Sequence, residues 1–221
     1  MLTNFKESLA GPVKGHPTRF NRYMYETRFR PFTKLVEACC HAVPAPNRKD
    51  YRILDVGCGT GLMTHLFRTA GFEAYGCDIV PNSEANEFFL EEHGERLIFE
   101  LDVNDLIDHD GSWDLITMAN LPGIFSAEAL KHLINIFSNK ATTAMLQLRP
   151  KQAHDIAQYC GQENMLVTID VPSGVGDIGP NTSHRQKLVL FMLPDKLEVT
   201  PGLVFYRRGG QGNIYLRDKS A

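Results

Sequence analysis

Apolar residues follow two rhythms along this chain. In some stretches they run together, and in others they recur every three or four positions. Short apolar runs bounded by turn residues predict buried strands, and the three-to-four spacing predicts amphipathic helices. The first run, Ile53-Leu54-Asp55-Val56, meets glycines at alternate positions, Gly57, Gly59 and Gly61. Leu62, Leu66, Phe67 and Ala70 then fall on one helical face, and Gly71 stands where a helix C-cap belongs. The stretch therefore predicts a strand, a tight glycine turn and a helix opening directly after it.

The same alternation continues. Ala74 to Ile79 reads as a strand, Ser83 to His93 as a helix closed by Gly94, and Leu97 to Asp102 as a third strand. Trp113 to Met118 is the fourth strand. Ser126 caps a helix whose core face is Leu130, Leu133, Ile134 and Phe137. Thr142 to Leu148 is the fifth strand, followed by a helix over 151–160. Two β-rich runs, Met165 to Val171 and Gln186 to Leu193, follow with no helix between them. Upstream, Asn21 to Val43 reads as helix interrupted near Pro31, with Phe32, Leu35, Val36, Cys39 and Val43 on one face. Residues 1–19, with turn signals at Gly11-Pro12 and His16-Pro17, read as an arm or lid. Leu203 to Tyr206 and Ile214 to Leu216, around Gly209-Gly-Gln-Gly212, predict a closing hairpin.

Alternating strands and helices predict a parallel sheet, and a final pair of strands without a helix inserts an antiparallel one. The expected fold is α/β: a doubly wound, seven-stranded, mostly parallel sheet with its last strand reversed, plus N-terminal helices and a C-terminal hairpin. The expected organisation is one domain over 1–221, with an arm and helical cap at 1–49, a core at 50–193 and a hairpin extension at 194–221.

Composition narrows the class. The 221 residues are 43% hydrophobic and 22% charged, which suits a globular chain. A net charge of −3 argues against broad electrostatic binding to nucleic acid, which needs Lys and Arg to displace phosphate counterions. The five cysteines form no C-x-x-C pair and fit neither a zinc site nor a disulfide framework. Buried thiols in a reducing cytosol are the simplest reading. No apolar run approaches the roughly 20 residues that cross a bilayer. No metal site is expected: His65, His132 and His154 sit in helical stretches without an H-x-x-x-H pair.

The glycine turn is where chemistry concentrates. Glycines admit positive φ and let a ligand approach without a Cβ in the way, and the new helix directs unpaired N–H groups at whatever lies over the turn. A dinucleotide fingerprint would place its third glycine at position 62, where Leu62 stands. Asp78 closes the second strand, placed to accept two hydroxyl hydrogen bonds from a ribose or to cap the following helix, although Asn82 and Ser83 already supply a cap.

The segment Asp55-Val-Gly-Cys58-Gly-Thr-Gly61 resembles motif I of the class I S-adenosylmethionine-dependent methyltransferases, and the match extends over residues 50–193. The resemblance implies S-adenosyl-L-methionine as cofactor. It places Asp55 near the cofactor's amino end, and Gly57, Cys58, Gly59 and Gly61 in the cradle. It places Asp78 on the ribose, Asp102 on the adenine amine, the Val103 N–H facing the ring, and Ile79 and Val103 on the ring's two faces. Asn120 lies at the same sheet edge.

Methyl transfer from a sulfonium requires placement more than acid–base machinery, so a missing catalytic triad is expected. Acceptor-side candidates are Tyr23, whose ring face suits a methyl sulfonium, Asn120, and His184, which titrates near neutral pH. Lesser candidates are His16, Arg22, Tyr25, Asp177 and Asn181. Asn120-Leu-Pro122-Gly123 resembles the Asn-Leu-Pro-Tyr motif of RNA adenine dimethyltransferases, with Gly123 in place of the stacking aromatic. The expected function is transfer of a methyl group to a small-molecule acceptor by a cytoplasmic enzyme, without membrane or nucleic-acid partner. Monomer and homodimer both stay open. An N-methyltransferase on RNA or protein, and a cofactor-binding partner subunit without turnover, are the alternatives.

Overall fold

The computed structural model of the chain describes residues 30–119, 125–172, 185–193, 203–207 and 214–218. One sheet carries seven strands in the order β3-β2-β1-β4-β5-β7-β6: β1 (Arg52–Val56), β2 (Glu73–Asp78), β3 (Ile98–Glu100), β4 (Trp113–Met118), β5 (Ala141–Leu148), β6 (Met165–Pro172) and β7 (Arg185–Met192). The pairs β1/β2, β2/β3 and β4/β5 are parallel, whereas β7 runs antiparallel beside β5. The mostly parallel α/β sheet with a reversed late strand is the arrangement the strand–helix alternation predicts. A separate two-stranded ribbon, β8 (Leu203–Arg207) against β9 (Ile214–Asp218), forms the expected hairpin. By contacts the described residues group into two compact units, one from the stretches 1–100 and 172–182, the other from 101–171 and 183–221.

In the first unit, α1 (Arg30–Ala42) buries Phe32, Leu35, Val36 and Cys39, and Cys40 as well. The predicted helix over 21–29 lies outside the described residues. A 3-10 turn, Ala45–Asp50, carries Arg48, which ties the C-terminal ends of two helices together. Its guanidinium donates to the carbonyls of Cys40 at 2.9 Å, Val43 at 3.0 Å and Ala70 at 3.2 Å. It also lies 5.5 Å from the centroid of the Phe72 ring. Helix α2 (Leu62–Thr69) is buried from Leu62 through Phe67, more completely than its predicted apolar stripe. Helix α3 (Ser83–His93) starts on Asn82, whose side chain accepts from the Ala85 N–H at 2.8 Å, and ends at Gly94 with φ 77°.

Strand β3 is shorter than the sequence predicts. Leu101 and Asp102 lie beyond its last paired residue, because Asp102 turns back to bond its own following segment. The outer edge of β3 is met by a side chain: Asn86 donates to the Ile98 carbonyl at 2.8 Å and accepts from its N–H at 2.9 Å, as a neighbouring strand would.

In the second unit, α4 (Ala127–Ser138) is capped by Ser126, which accepts from the Ala129 N–H at 3.1 Å. All four predicted core positions, Leu130, Leu133, Ile134 and Phe137, are buried. Helix α5 (Pro150–Cys160) opens with proline at its first position, where no backbone N–H is needed, and Gln152 accepts from the Arg149 N–H at 2.9 Å. Among the described residues no helix is long and apolar enough to cross a membrane. All five cysteines are free, and all but the half-buried Cys58 are buried.

Candidate functional site

The parallel register sets Val56 of β1 against Cys77 of β2, so the turn after β1 and the carboxylate closing β2 leave the sheet at the same edge. The turn is stitched to β2 by its own backbone. The N–H groups of Gly57 and Cys58 both donate to the Cys77 carbonyl, at 2.8 and 3.1 Å. Gly61 N–H then closes onto the Cys58 carbonyl at 2.9 Å, and His65 N–H onto the Gly61 carbonyl at 2.8 Å, which starts α2. Gly57, Gly59 and Gly61 all hold left-handed φ, at 65°, 57° and 70°.

The three glycines face different surroundings. Gly59 is exposed, and a Cβ built there meets nothing within 4 Å. Gly61 is buried, and a Cβ there would stand 2.7 Å from the Phe89 ring and 2.9 Å from Ile98 Cδ1. Gly59 therefore presents open backbone, while Gly61 lets the start of α2 pack against α3 and β3.

Asp78 joins this edge directly. Its Oδ2 accepts from the Gly59 N–H at 2.9 Å, and its Oδ1 lies 3.4 Å from the Val80 N–H. Asn82, not Asp78, caps α3, so the helix-cap alternative for Asp78 falls away. Each carboxylate oxygen keeps lone-pair capacity for a further donor. Next to it the apolar side chains of Ile79 and Val80 are 59% and 76% exposed, a large apolar surface left in water beside a carboxylate.

Asp55, by contrast, is buried at 3% exposure inside β1. Its negative charge, added to that of Asp78, acts on Cys58, whose thiol is pushed well above its ordinary range mainly by burial. Cys77 is raised to about 12, again by burial first and the Asp55 charge second. Neither thiol is a nucleophile at neutral pH. Asp102 is half-buried, and its Oδ1 accepts from both the backbone N–H and the side-chain amide of Asn104, at 2.9 and 2.8 Å. Its Oδ2 accepts no hydrogen bond among the described residues. Val103, which follows it, is half-buried. Asn120, Tyr23 and His184, with the further acceptor-side candidates His16, Arg22, Tyr25, Asp177 and Asn181, lie outside the described residues.

A family profile for the methyltransferase domain matches residues 24–154, more than half of the chain. The chain belongs to the S-adenosylmethionine-dependent methyltransferases of class I. Solved structures share the fold of this methyltransferase at low identity. Magnesium protoporphyrin IX methyltransferase from Synechocystis PCC 6803, with S-adenosylmethionine bound, superposes with a TM-score of 0.58 at 16% identity, over 87% of this chain and 91% of that one. A protein from Pyrococcus horikoshii described as a candidate RNA methyltransferase gives 0.59 at 14% identity, over 86% and 98%. An S-adenosylmethionine-dependent methyltransferase from Clostridium acetobutylicum ATCC 824 gives 0.55 at 14%, over 78% and 97%. No curated protein matches the methyltransferase in sequence.

Two features of the methyltransferase's glycine turn escape a sequence reading. Gly76, inside β2, faces Cys58 and Thr64 so closely that a Cβ would collide with both. His65 and His93 meet across α2 and α3, with Nδ1 and Nε2 3.3 Å apart. The only available signals were a glycine interrupting a strand pattern and a histidine on an apolar helix, each compatible with many structures.

Proposed function

We propose that this protein transfers a methyl group from S-adenosylmethionine to a small-molecule acceptor. The observation that carries the cofactor side is the 2.9 Å bond between the exposed Gly59 N–H and the Asp78 carboxylate, formed at the shared end of two parallel strands. Open backbone, a carboxylate with spare acceptor capacity and exposed apolar side chains suit an adenosyl group.

Bound S-adenosylmethionine supplies a methyl carbon on a positively charged sulfur with a neutral leaving group. The chain's own residues would do the holding. Gly57 and Gly59 offer backbone without steric bulk, Cys58 offers backbone while its side chain packs against Gly76 of β2, and Gly61 seats the helix behind them. Asp55 contributes a buried negative charge behind the turn, suited to the cofactor's ammonium group. Asp78 would accept from the ribose hydroxyls. The Oδ2 of Asp102 would accept from the adenine amine, with the Val103 N–H toward the ring and Ile79 and Val103 against its faces. Tyr23, Asn120 and His184 are the acceptor-side candidates, in the roles of methyl-facing ring, amide holding an acceptor amino group and base. We read the chain as one methyltransferase domain, with 50–193 as its cofactor-binding core. The free cysteines suit a reducing cytosol.

A small acceptor is favoured by the net charge of −3, which offers little for a phosphate backbone. Asn120-Leu121-Pro122 favours a second reading, N-methylation of a nucleobase. Titration calorimetry with S-adenosylhomocysteine tests the cofactor. Saturable binding is expected, and absence of binding, with NAD bound instead, would overturn the proposal. Repeating the measurement with RNA across a salt series separates the acceptors, since a steep loss of RNA affinity with salt supports the nucleobase reading.

A further inference from the structure

Gly76 lies inside β2, beside the glycine turn, and carries no role in the cofactor reading. It is the register partner of Asp55 and stands two residues before Asp78. Its own N–H is already used, donating to the Leu97 carbonyl at 2.8 Å, so its backbone position is fixed by the sheet. A Cβ at this position would stand 2.6 Å from Cys58 Sγ, 2.9 Å from Thr64 Oγ1 and 3.0 Å from Cys58 Cβ. These three atoms come from both sides of the glycine turn: Cys58 from its entry and Thr64 from the first turn of α2. No left-handed φ explains a glycine here, because Gly76 is not among the glycines with positive φ.

We infer that Gly76 is a positioning residue for the cofactor turn: its missing side chain is the seat on which Cys58 and Thr64 rest, and that seat sets where the Gly59 N–H meets Asp78. The inference rests on the cofactor reading above. The three contacts are not equally movable. Cys58 Sγ and Thr64 Oγ1 end side chains and can rotate. Cys58 Cβ moves only with the backbone of the turn. Thr64 is completely buried, but its Oγ1 has no hydrogen-bond partner among the described residues, so no bond has to break for the hydroxyl to turn aside. A methyl at position 76 therefore lifts the turn away from β2. The bonds that resist are the two from Gly57 and Cys58 to Cys77 and the one from Gly59 to Asp78. The last links the exposed glycine to the proposed ribose acceptor, and it lengthens with the other two when the turn rises.

The test measures S-adenosylhomocysteine affinity by calorimetry on the full chain, with circular dichroism as the check on folding. Gly76→Ala is expected to weaken binding roughly tenfold or more, since small misplacements of positioning groups carry penalties of this order. Combining Gly76→Ala with Cys58→Gly removes both Cys58 contacts, and this double variant is expected to regain most of the affinity. A general loss of sheet stability would not be rescued by a change in the turn. If Gly76→Ala does not fold, the double variant still carries the test: folded and binding within about threefold of wild type supports the role. Wild-type affinity in Gly76→Ala, or a folded double variant that stays weak, would overturn it while leaving the cofactor reading intact. Failure of the wild type itself to bind would overturn both.

Discussion

At the scale of single residues, the turn separates a glycine packed against its neighbours from one with open space around it. Gly61 already has the Phe89 ring and Ile98 Cδ1 closer than a Cβ tolerates, and it holds a φ of 70°. Gly61→Ala should therefore lower unfolding free energy by about 2–4 kcal/mol, the sum of overpacking and left-handed strain. Gly59 shares the backbone strain but has open space around its Cβ. Gly59→Ala should cost about 1–2 kcal/mol in urea unfolding, with the larger effect on S-adenosylhomocysteine affinity. Equal stability losses in the two variants would contradict the assignment. Asp78 invites a graded comparison. Asn at this position keeps an acceptor for the Gly59 N–H but loses the charge and one acceptor oxygen, whereas Ala loses everything. Asp78→Ala should weaken cofactor binding by at least about tenfold, with Asp78→Asn in between. Unchanged affinity in Asp78→Ala would remove the ribose role.

At the scale of elements, α2 and α3 meet through an imidazole pair. His65 Nδ1 and His93 Nε2 are 3.3 Å apart, so one ring donates and the other accepts. Phe88 packs edge-on against His65, with centroids 5.2 Å apart. Burial and the Arg68 charge lower the His93 pKa below its ordinary value, against weaker raising effects from Glu92 and Glu95. A lowered histidine pKa means that the unfolded chain takes up its proton first as pH falls. Stability is then complete above the unfolded value of 6.5 and declines as pH drops from there toward the folded value. His132, lowered by burial on α4, adds in the same direction. Urea midpoints at pH 7.5 and 5.5 should show this loss, and His93→Gln should reduce it. The pair also marks where sequence reading stops. The bounds of β4, the helix caps and the glycine spacing are legible because each is decided within a few residues: Trp113–Met118, the Ser126 cap and the Asp55 to Gly61 turn all stand where the pattern puts them, whereas β3 stops at Glu100, short of the expected Asp102. His65 and His93 are 28 positions apart, and Gly76 reads as a flaw in a strand until Cys58 and Thr64 are seen against it. Such meanings arise from contacts between distant segments, which periodicity does not encode.

At the scale of the whole molecule, the cofactor reading has a consequence independent of any particular side chain. A ligand that binds only the folded chain stabilises it in proportion to the logarithm of its concentration over Kd. At a hundredfold excess over Kd this amounts to about 2.7 kcal/mol. For 221 residues, each kcal/mol moves the midpoint of thermal unfolding by roughly 2–4 °C. Saturating S-adenosylhomocysteine should therefore raise Tm by roughly 5–10 °C, and the shift should grow with ligand concentration after the sites are full. Continued growth identifies linkage to folding, whereas a nonspecific solvent effect has no relation to the Kd found by calorimetry. NAD is the decisive comparison. The turn carries Leu62 where a dinucleotide fingerprint needs its third glycine, and that position is buried at the head of α2. NAD should leave Tm unchanged at concentrations where S-adenosylhomocysteine shifts it, and the reverse order would replace methyl transfer with hydride chemistry.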